Sequence, residues 1–382
     1  MATLNDYKRL YDSSDITFKS LKYDDYHWTN WGNGVFIGNG QIGAMAFKKT
    51  PDGVTLELGR NDVEAHNYLG GIDWCYPRVP IGDLLIKSDK AIKNESLHLG
   101  LWNAEIDGTT ETEEGELKWS AFCANGLDVF VIKLHKNEKG EAFKLVPIPE
   151  HGVSPRLLRV DDEVREKAAP LPPLPTVVDE EVVRGWRQPL VNDAGEADGG
   201  FSVAIKTEDT PTAVIYYVAV MHNKTGTDAW DETKREVEAA VAQGYDKLYA
   251  EHINYWHSYY AESYLEISDK KWQSFYNIQM YKLACSTREN AIEVIDSQGP
   301  WLTKTGWPGT WWNLNVQLSY SPLYTANHLG IAKSLINTIK DREEQLRENA
   351  SPVCDDGIYI HRSSGRTLTR NNIYTPAQIK AG

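Results

Sequence analysis

The chain has 382 residues, 41% of them hydrophobic, with a formal net charge of −14 and a pI near 5.2. That length suits roughly two to three domains with ordinary cores. An acidic surface repels a phosphate backbone, and no apolar run reaches the ~20 residues of a spanning helix, so neither nucleic acid nor membrane is an expected partner.

The opening "MATLNDYKRLYDSSD" is polar and lacks the apolar core of a secretory signal. The chain is therefore expected to be cytoplasmic, or periplasmic or extracellular with its signal removed. Cys75, Cys123, Cys285 and Cys354 show neither metal-ligand spacing nor a disulfide framework, and all are expected to be structural. No metal or cofactor is implied. The excess is aromatic: 13 Trp and 20 Tyr against 8 Phe. Such rings offer a flat apolar face with a polar handle, suited to stacking sugar rings and equally to domain interfaces.

Residues 1–222 read as strands and turns. "GVTLELG" places Val54, Leu56 and Leu58 on one face, the period of a half-buried strand. "LDVFVIKLH", "GFSVAIKTE" and "TAVIYYVAVMH" are similar, with Gly, Asn and Asp between strands. Many short strands without helical period predict an antiparallel β-sandwich. The Pro-rich stretch 168–181 predicts an extended surface loop.

The period changes near residue 225. Trp230, Val237, Val241 and Leu248 predict helix, broken at Gly244 into two. The second carries an aromatic stripe, Tyr249, His252, Trp256, Tyr259 and Tyr260, of the kind that usually packs. These residues, 223–267, form a helical linker. Residues 268–382 begin a further helical domain. Ser268 is its expected N-cap, and Trp272, Phe275, Tyr276, Met280 and Leu283 its first apolar face. A second helix is expected over about 322–349, with Pro322 in its first turn and Ile331, Leu335 and Ile339 in register.

Between those helices lies "GTWWNLNVQLSY", aromatic and amide-rich but uncharged. On an extended segment, residues two apart share a face. Asn313, Asn315 and Gln317 would then form one wall, with Leu314, Val316 and Leu318 turned to the core. Amides both donate and accept, so the row suits sugar hydroxyls or a held water; it suits equally the backbone groups of a buried connection. Trp301, Trp307, Trp311 and Trp312 cluster nearby, either to stack a sugar or to fill the core. Asn39 and Asn61–Asp62 lie in sandwich turns, with turn formation weighed against reach toward the same site.

Several segments, in order, carry a resemblance. "WGNGVFIGNGQIGAMAF" (31–47) looks like the glycine-rich opening of glycoside hydrolase family 95, and "LELGRNDVEAH" (56–66) like the strand after it. "EHINYWHSYYAESYLEIS" (251–268) is similar to the linker helix of six-hairpin glycosidases. "GPWLTKTGWPGTWWNLNVQLSYSPLYTANHL" (299–329) resembles the segment with that family's paired asparagines, though "SYSP" replaces something closer to "NYWP". The resemblance covers most of the chain. It implies an N-terminal antiparallel β-sandwich, a helical linker, and the first helices of an incomplete (α/α)6 barrel.

The same resemblance implies inverting hydrolysis of α-L-fucosides or α-L-galactosides in an oligosaccharide or polysaccharide. Asn313 and Asn315 would hold the attacking water, with Trp307, Trp311, Trp312 and Gln317 contacting the sugar. A closed barrel needs about 12 helices, and the residues after Ser268 accommodate roughly three or four. Asp355, Asp356, Glu343, Glu344 and Glu348 match no motif for the family's general acid, so this chain alone is expected to be a fragment without appreciable activity. The alternatives are a non-catalytic carbohydrate-binding protein, and a six-hairpin glycosidase or phosphorylase acting on another sugar.

Overall fold

The computed structural model describes residues 2–23, 32, 34–67, 76–155, 157, 170–291, 293–301 and 309–369. The chain opens with a helix, α1 (Leu4–Asp12), which strand-like patterning does not foretell. It forms because Thr3 and Asp6 satisfy each other's backbone N–H in a capping box.

The strands are β1 (Ile16–Phe18), β2 (Val35–Gly38), β3 (Ile42–Thr50), β4 (Gly53–Arg60), β5 (Gly82–Lys87), β6 (Ile92–Gly100) and β7 (Glu105–Thr112). They continue with β8 (Gly115–Cys123), β9 (Val129–His135), β10 (Lys144–Pro149), β11 (Thr176–Asp179), β12 (Arg184–Val191), β13 (Ala197–Asp209) and β14 (Ala213–Asn223). A nine-stranded sheet runs β1-β6-β7-β8-β9-β14-β13-β12-β11, and a five-stranded sheet runs β10-β5-β4-β3-β2. Every pairing is antiparallel. The main core lies between the sheets, with Leu56, Leu84, Ile106, Trp119, Phe130 and Val203 among its members. The expected sandwich is therefore present, with one revision in the Pro-rich stretch: Thr176–Asp179 is not loop but edge strand, in register with Arg184–Arg187.

Two linker helices follow, α2 (Trp230–Gln243) and α3 (Tyr245–Ala261), separated at Gly244 as expected. Trp230, Val237 and Ala240 close the outer face of the large sheet over Val131, Ala204 and Tyr217. The aromatic stripe packs: Tyr260 Oη donates to Leu101 O at 2.6 Å, and Tyr259 Oη to Met280 O at 2.9 Å. His252 lies against the Cys123 and Asn103 carbonyls.

The later helices are α4 (Lys270–Ser286), α5 (Gln317–Thr325), α6 (Leu329–Asp341) and α7 (Glu343–Ala350). Four expectations change here. The α4 cap is Asp269, whose carboxylate accepts from Lys271 and Trp272 N–H, not Ser268. Trp272 and Phe275 are 62% and 55% exposed, while Gln273 and Asn277 are buried. The reason is hydrogen bonding: Asn277 Nδ2 meets Leu10 O at the end of α1, and Gln273 Nε2 meets Leu265 O. The single helix expected over 322–349 is split, and Pro322 sits inside α5 rather than in the first turn of a later helix. Residues 287–291, 293–301 and 351–369 are non-helical, interrupting a region expected to be almost wholly helical.

β4 is buried along its whole length, not on one face. On the second face Lys49 covers Glu57, and the strap after α4 covers Gly59. Pro300 O would lie 1.8 Å from a Cβ at Gly59, and Trp301 Nε1 donates to Ile37 O at 2.8 Å. Gly40, at φ +90°, is likewise flush against Thr287. The glycine-rich turn is thus the seat on which the helical part docks.

Candidate functional site

The amide-rich segment begins as a two-residue strand. β15 (Thr310–Trp311) pairs antiparallel with β16 (Ser363–Ser364). Trp312 N–H donates to Arg362 O at 2.8 Å, and its Nε1 to Ser364 Oγ at 2.9 Å. Trp312 belongs to the main core, and Trp311 is buried beneath the Arg362 guanidinium, 5.9 Å from its ring centroid. Trp307 lies outside the described residues. Trp301 is buried against Phe36 in the docking strap.

Past Trp312 the backbone is irregular. Asn313 has φ −69° and ψ 120°, and Leu314 has φ 73° and ψ −53°. Leu314 therefore has a positive φ, near the strained γ-turn geometry that residues with a Cβ rarely adopt. The segment is not the extended run on which three amides share one wall. Leu314 and Leu318 are 58% and 60% exposed, so of the three apolar residues assigned to the core only Val316 enters it. Gln317 Oε1 accepts the Leu314 N–H at 3.0 Å and pins the turn. Asn313 is exposed and Asn315 half-buried. The turn thus presents two amides beside an exposed leucine, from a base of buried tryptophan.

Asn39 ties the two sheets of the sandwich together, and Asn61 ties the sandwich to the end of α4. Asn39 Nδ2 donates to Ala124 O and Leu127 O, and Asn61 Nδ2 to Gly40 O and Ser286 O. Cys123 and Cys285 are buried free thiols, Cys354 is exposed, and Cys75 is outside the described residues.

Where the sandwich meets the helical part lies a buried ionic cluster that no motif announces. Arg60 pairs with Asp62 and with Asp128, which also meets Arg288. Asp296 pairs with Arg366 and Arg78, and Arg342 with Glu293. Burial opposes the charge of Asp62, but Arg60 and His222 outweigh it and hold the carboxyl well below its usual range. Burial pushes Glu64 up to about 7, only partly offset by the Arg366 N–H that it accepts at 2.8 Å. Burial also raises Glu293, with Asp62 adding to the effect. The alternation of Arg60, Asp62 and Glu64 was the one available signal: three charges at every second position from the end of a strand buried along its length. Their partners come from distant segments without shared spacing. Glu343, Glu344, Glu348, Asp355 and Asp356 are all exposed.

The chain thus folds as an antiparallel two-sheet sandwich followed by a set of helices. No family model matches the chain, and no curated protein matches it by sequence. Among solved structures, the chain is similar to one named "Putative kojibiose phosphorylase from human microbiome", with a TM-score of 0.62 and 12% identity. The match covers 94% of this chain and 50% of that one, so the chain spans about half the length of the structure it resembles. At that identity the likeness is one of fold.

Proposed function

We propose that the protein is a carbohydrate-active enzyme, and that the Asn313–Asn315 turn faces the sugar. The observation that carries this is Leu314. Sparsely populated backbone geometry costs on the order of 1–3 kcal/mol and concentrates at functional sites. Here it falls between the two amides, on a side chain too exposed to compensate by burial. The finer assignment is inverting hydrolysis of an α-L-fucoside or α-L-galactoside, supported by the Asn-x-Asn segment's resemblance to glycoside hydrolase family 95.

In an inverting enzyme one group protonates the leaving oxygen while another activates water on the opposite face. Asn313 and Asn315 take the second task. A neutral amide serves there by orienting the water, and becomes a proton acceptor where a neighbouring carboxylate polarises it. The leaving-group acid is assigned to none of the residues described above.

A second reading, phosphorolysis of a disaccharide, is favoured by the name of the fold relative. Inorganic phosphate then replaces water as nucleophile. The complete gene product is assayed on aryl α-L-fucoside, aryl α-L-galactoside and kojibiose, with and without phosphate, and the products are read by NMR. Free sugar of inverted configuration is the expected result. A sugar 1-phosphate formed only with phosphate supports the second reading. No turnover of any of the three defeats both assignments.

A further inference from the structure

The β15–β16 ladder is two residues long on each side. A ladder that short does not hold its own register in water, yet it sets where Asn313 begins. The Trp312 bonds to Arg362 O and Ser364 Oγ extend it by one residue, and a further hold on β16 lies just beyond it. Gly365 alone separates β16 from Arg366, and Arg366 is fixed on every side. Its N–H donates to Glu64 Oε2 at 2.8 Å, and its Nη1 to Val294 O at 2.9 Å. Its other guanidinium nitrogen pairs with Asp296, and its carbonyl accepts Arg342 Nε at 2.6 Å. Glu64 and Arg366 are 5% and 3% exposed. The contacts of Arg366 with Val294, Asp296 and Arg342 all join residues of the helical part. Glu64 is the sandwich's direct hold on it.

We propose that Glu64 is a positioning residue for the asparagine turn: by holding the Arg366 backbone it fixes the register of Ser363–Ser364 against Thr310–Trp311, and so the place of Asn313. The functional consequence rests on the proposed role of Asn313 and Asn315; the mechanical coupling does not. Glu64 touches no substrate in this scheme. Its oxygen is committed to a backbone N–H inside the protein. The sandwich thereby contributes to the site through one carboxylate, although Asn313 and Asn315 lie some 250 residues further along the chain.

The test compares Glu64→Gln with Glu64→Asp in the full chain. Gln keeps the length and an accepting oxygen but loses the charge. Asp keeps the charge but withdraws the acceptor by one methylene. Hydrogen–deuterium exchange is followed in peptides covering 309–316 and 362–367, with β8 and β9 as the reference. Glu64→Asp should speed exchange in both peptides at least tenfold and leave the reference strands unchanged, while Glu64→Gln stays within about threefold of the wild type. A role confined to charge balance predicts the reverse order. Wild-type exchange in Glu64→Asp, or acceleration shared equally by β8 and β9, overturns the proposal. L-Fucose affinity is titrated in the same proteins, and should fall at least tenfold in Glu64→Asp only. Local loosening without any sugar binding by the wild type would keep the coupling and sink the asparagine assignment instead.

Discussion

Leu314 and Leu318 form a matched pair, and replacing each by glycine isolates backbone strain. Both side chains are leucine, and they are 58% and 60% exposed, so each replacement removes nearly the same buried apolar surface. Their backbones differ. Leu318 is the second residue of α5, where glycine costs roughly 0.5–1 kcal/mol through lost conformational entropy. Leu314 sits at φ 73°, where glycine relieves about 1–3 kcal/mol of strain against the same entropic cost. Subtracting one variant from the other cancels the loss of apolar surface and the entropic cost. Leu314→Gly should therefore be more stable than Leu318→Gly by about 1–3 kcal/mol. Thermal unfolding and urea titration read this directly. At ~2–4 °C per kcal/mol for domains of 150–250 residues, the gap in Tm should be several degrees. Equal losses in the two variants would show that Leu314 carries no strain and would remove the main support for a functional turn.

Asn313→Ala and Asn315→Ala should each change stability by less than about 0.5 kcal/mol for the exposed residue and about 1 for the half-buried one. In the complete gene product each should cut turnover by orders of magnitude, as measured by steady-state kinetics. Asp269→Ala should cost about 1 kcal/mol as a lost N-cap, and Ser268→Ala should cost much less, both by thermal unfolding. Asp296→Ala leaves Arg78 and Arg366 buried without their shared carboxylate, and should cost roughly 3–5 kcal/mol by chemical denaturation. Glu64 is held up at about 7, so the folded state binds its proton more tightly than the unfolded state. Its contribution to stability is present at acid pH and is lost as pH rises from the unfolded carboxyl value toward 7. Half-buried His66, lowered to about 4 chiefly by its partial burial, acts in the opposite sense over an overlapping range. The difference between Glu64→Gln and wild type removes that overlap: the variant should gain relative stability across this window, and a flat difference would contradict the raised value.

The sandwich was legible because period-2 patterning and glycine punctuation are local signals. So was the break at Gly244 between two amphipathic helices. What escaped depends on contacts between distant segments. β4 alternates as though half-buried, but its second face is covered at Gly59 by the strap at Pro300 and Trp301 and at Glu57 by Lys49. α4 buries Gln273 and Asn277 in place of Trp272 because backbone carbonyls of the N-terminal segment and the linker needed donors there. Within the site, composition singled out Asn313 and Asn315, but even spacing implied an extended wall. The positive φ at Leu314 and the Gln317 bond that pins it have no counterpart in residue type. The ionic cluster was half visible in Arg60, Asp62 and Glu64; Glu293, Asp296, Arg342 and Arg366 carry no shared spacing.

The central claim is that Asn313 and Asn315 face a sugar. Saturation-transfer NMR with L-fucose, L-galactose and D-glucose, on the wild type and on the Asn313→Ala/Asn315→Ala double variant, tests it most directly. The expected result is transfer to L-fucose or L-galactose in the wild type, reduced at least tenfold in a double variant of unchanged Tm. Equal transfer in both proteins, or none to any of the three sugars, would contradict it.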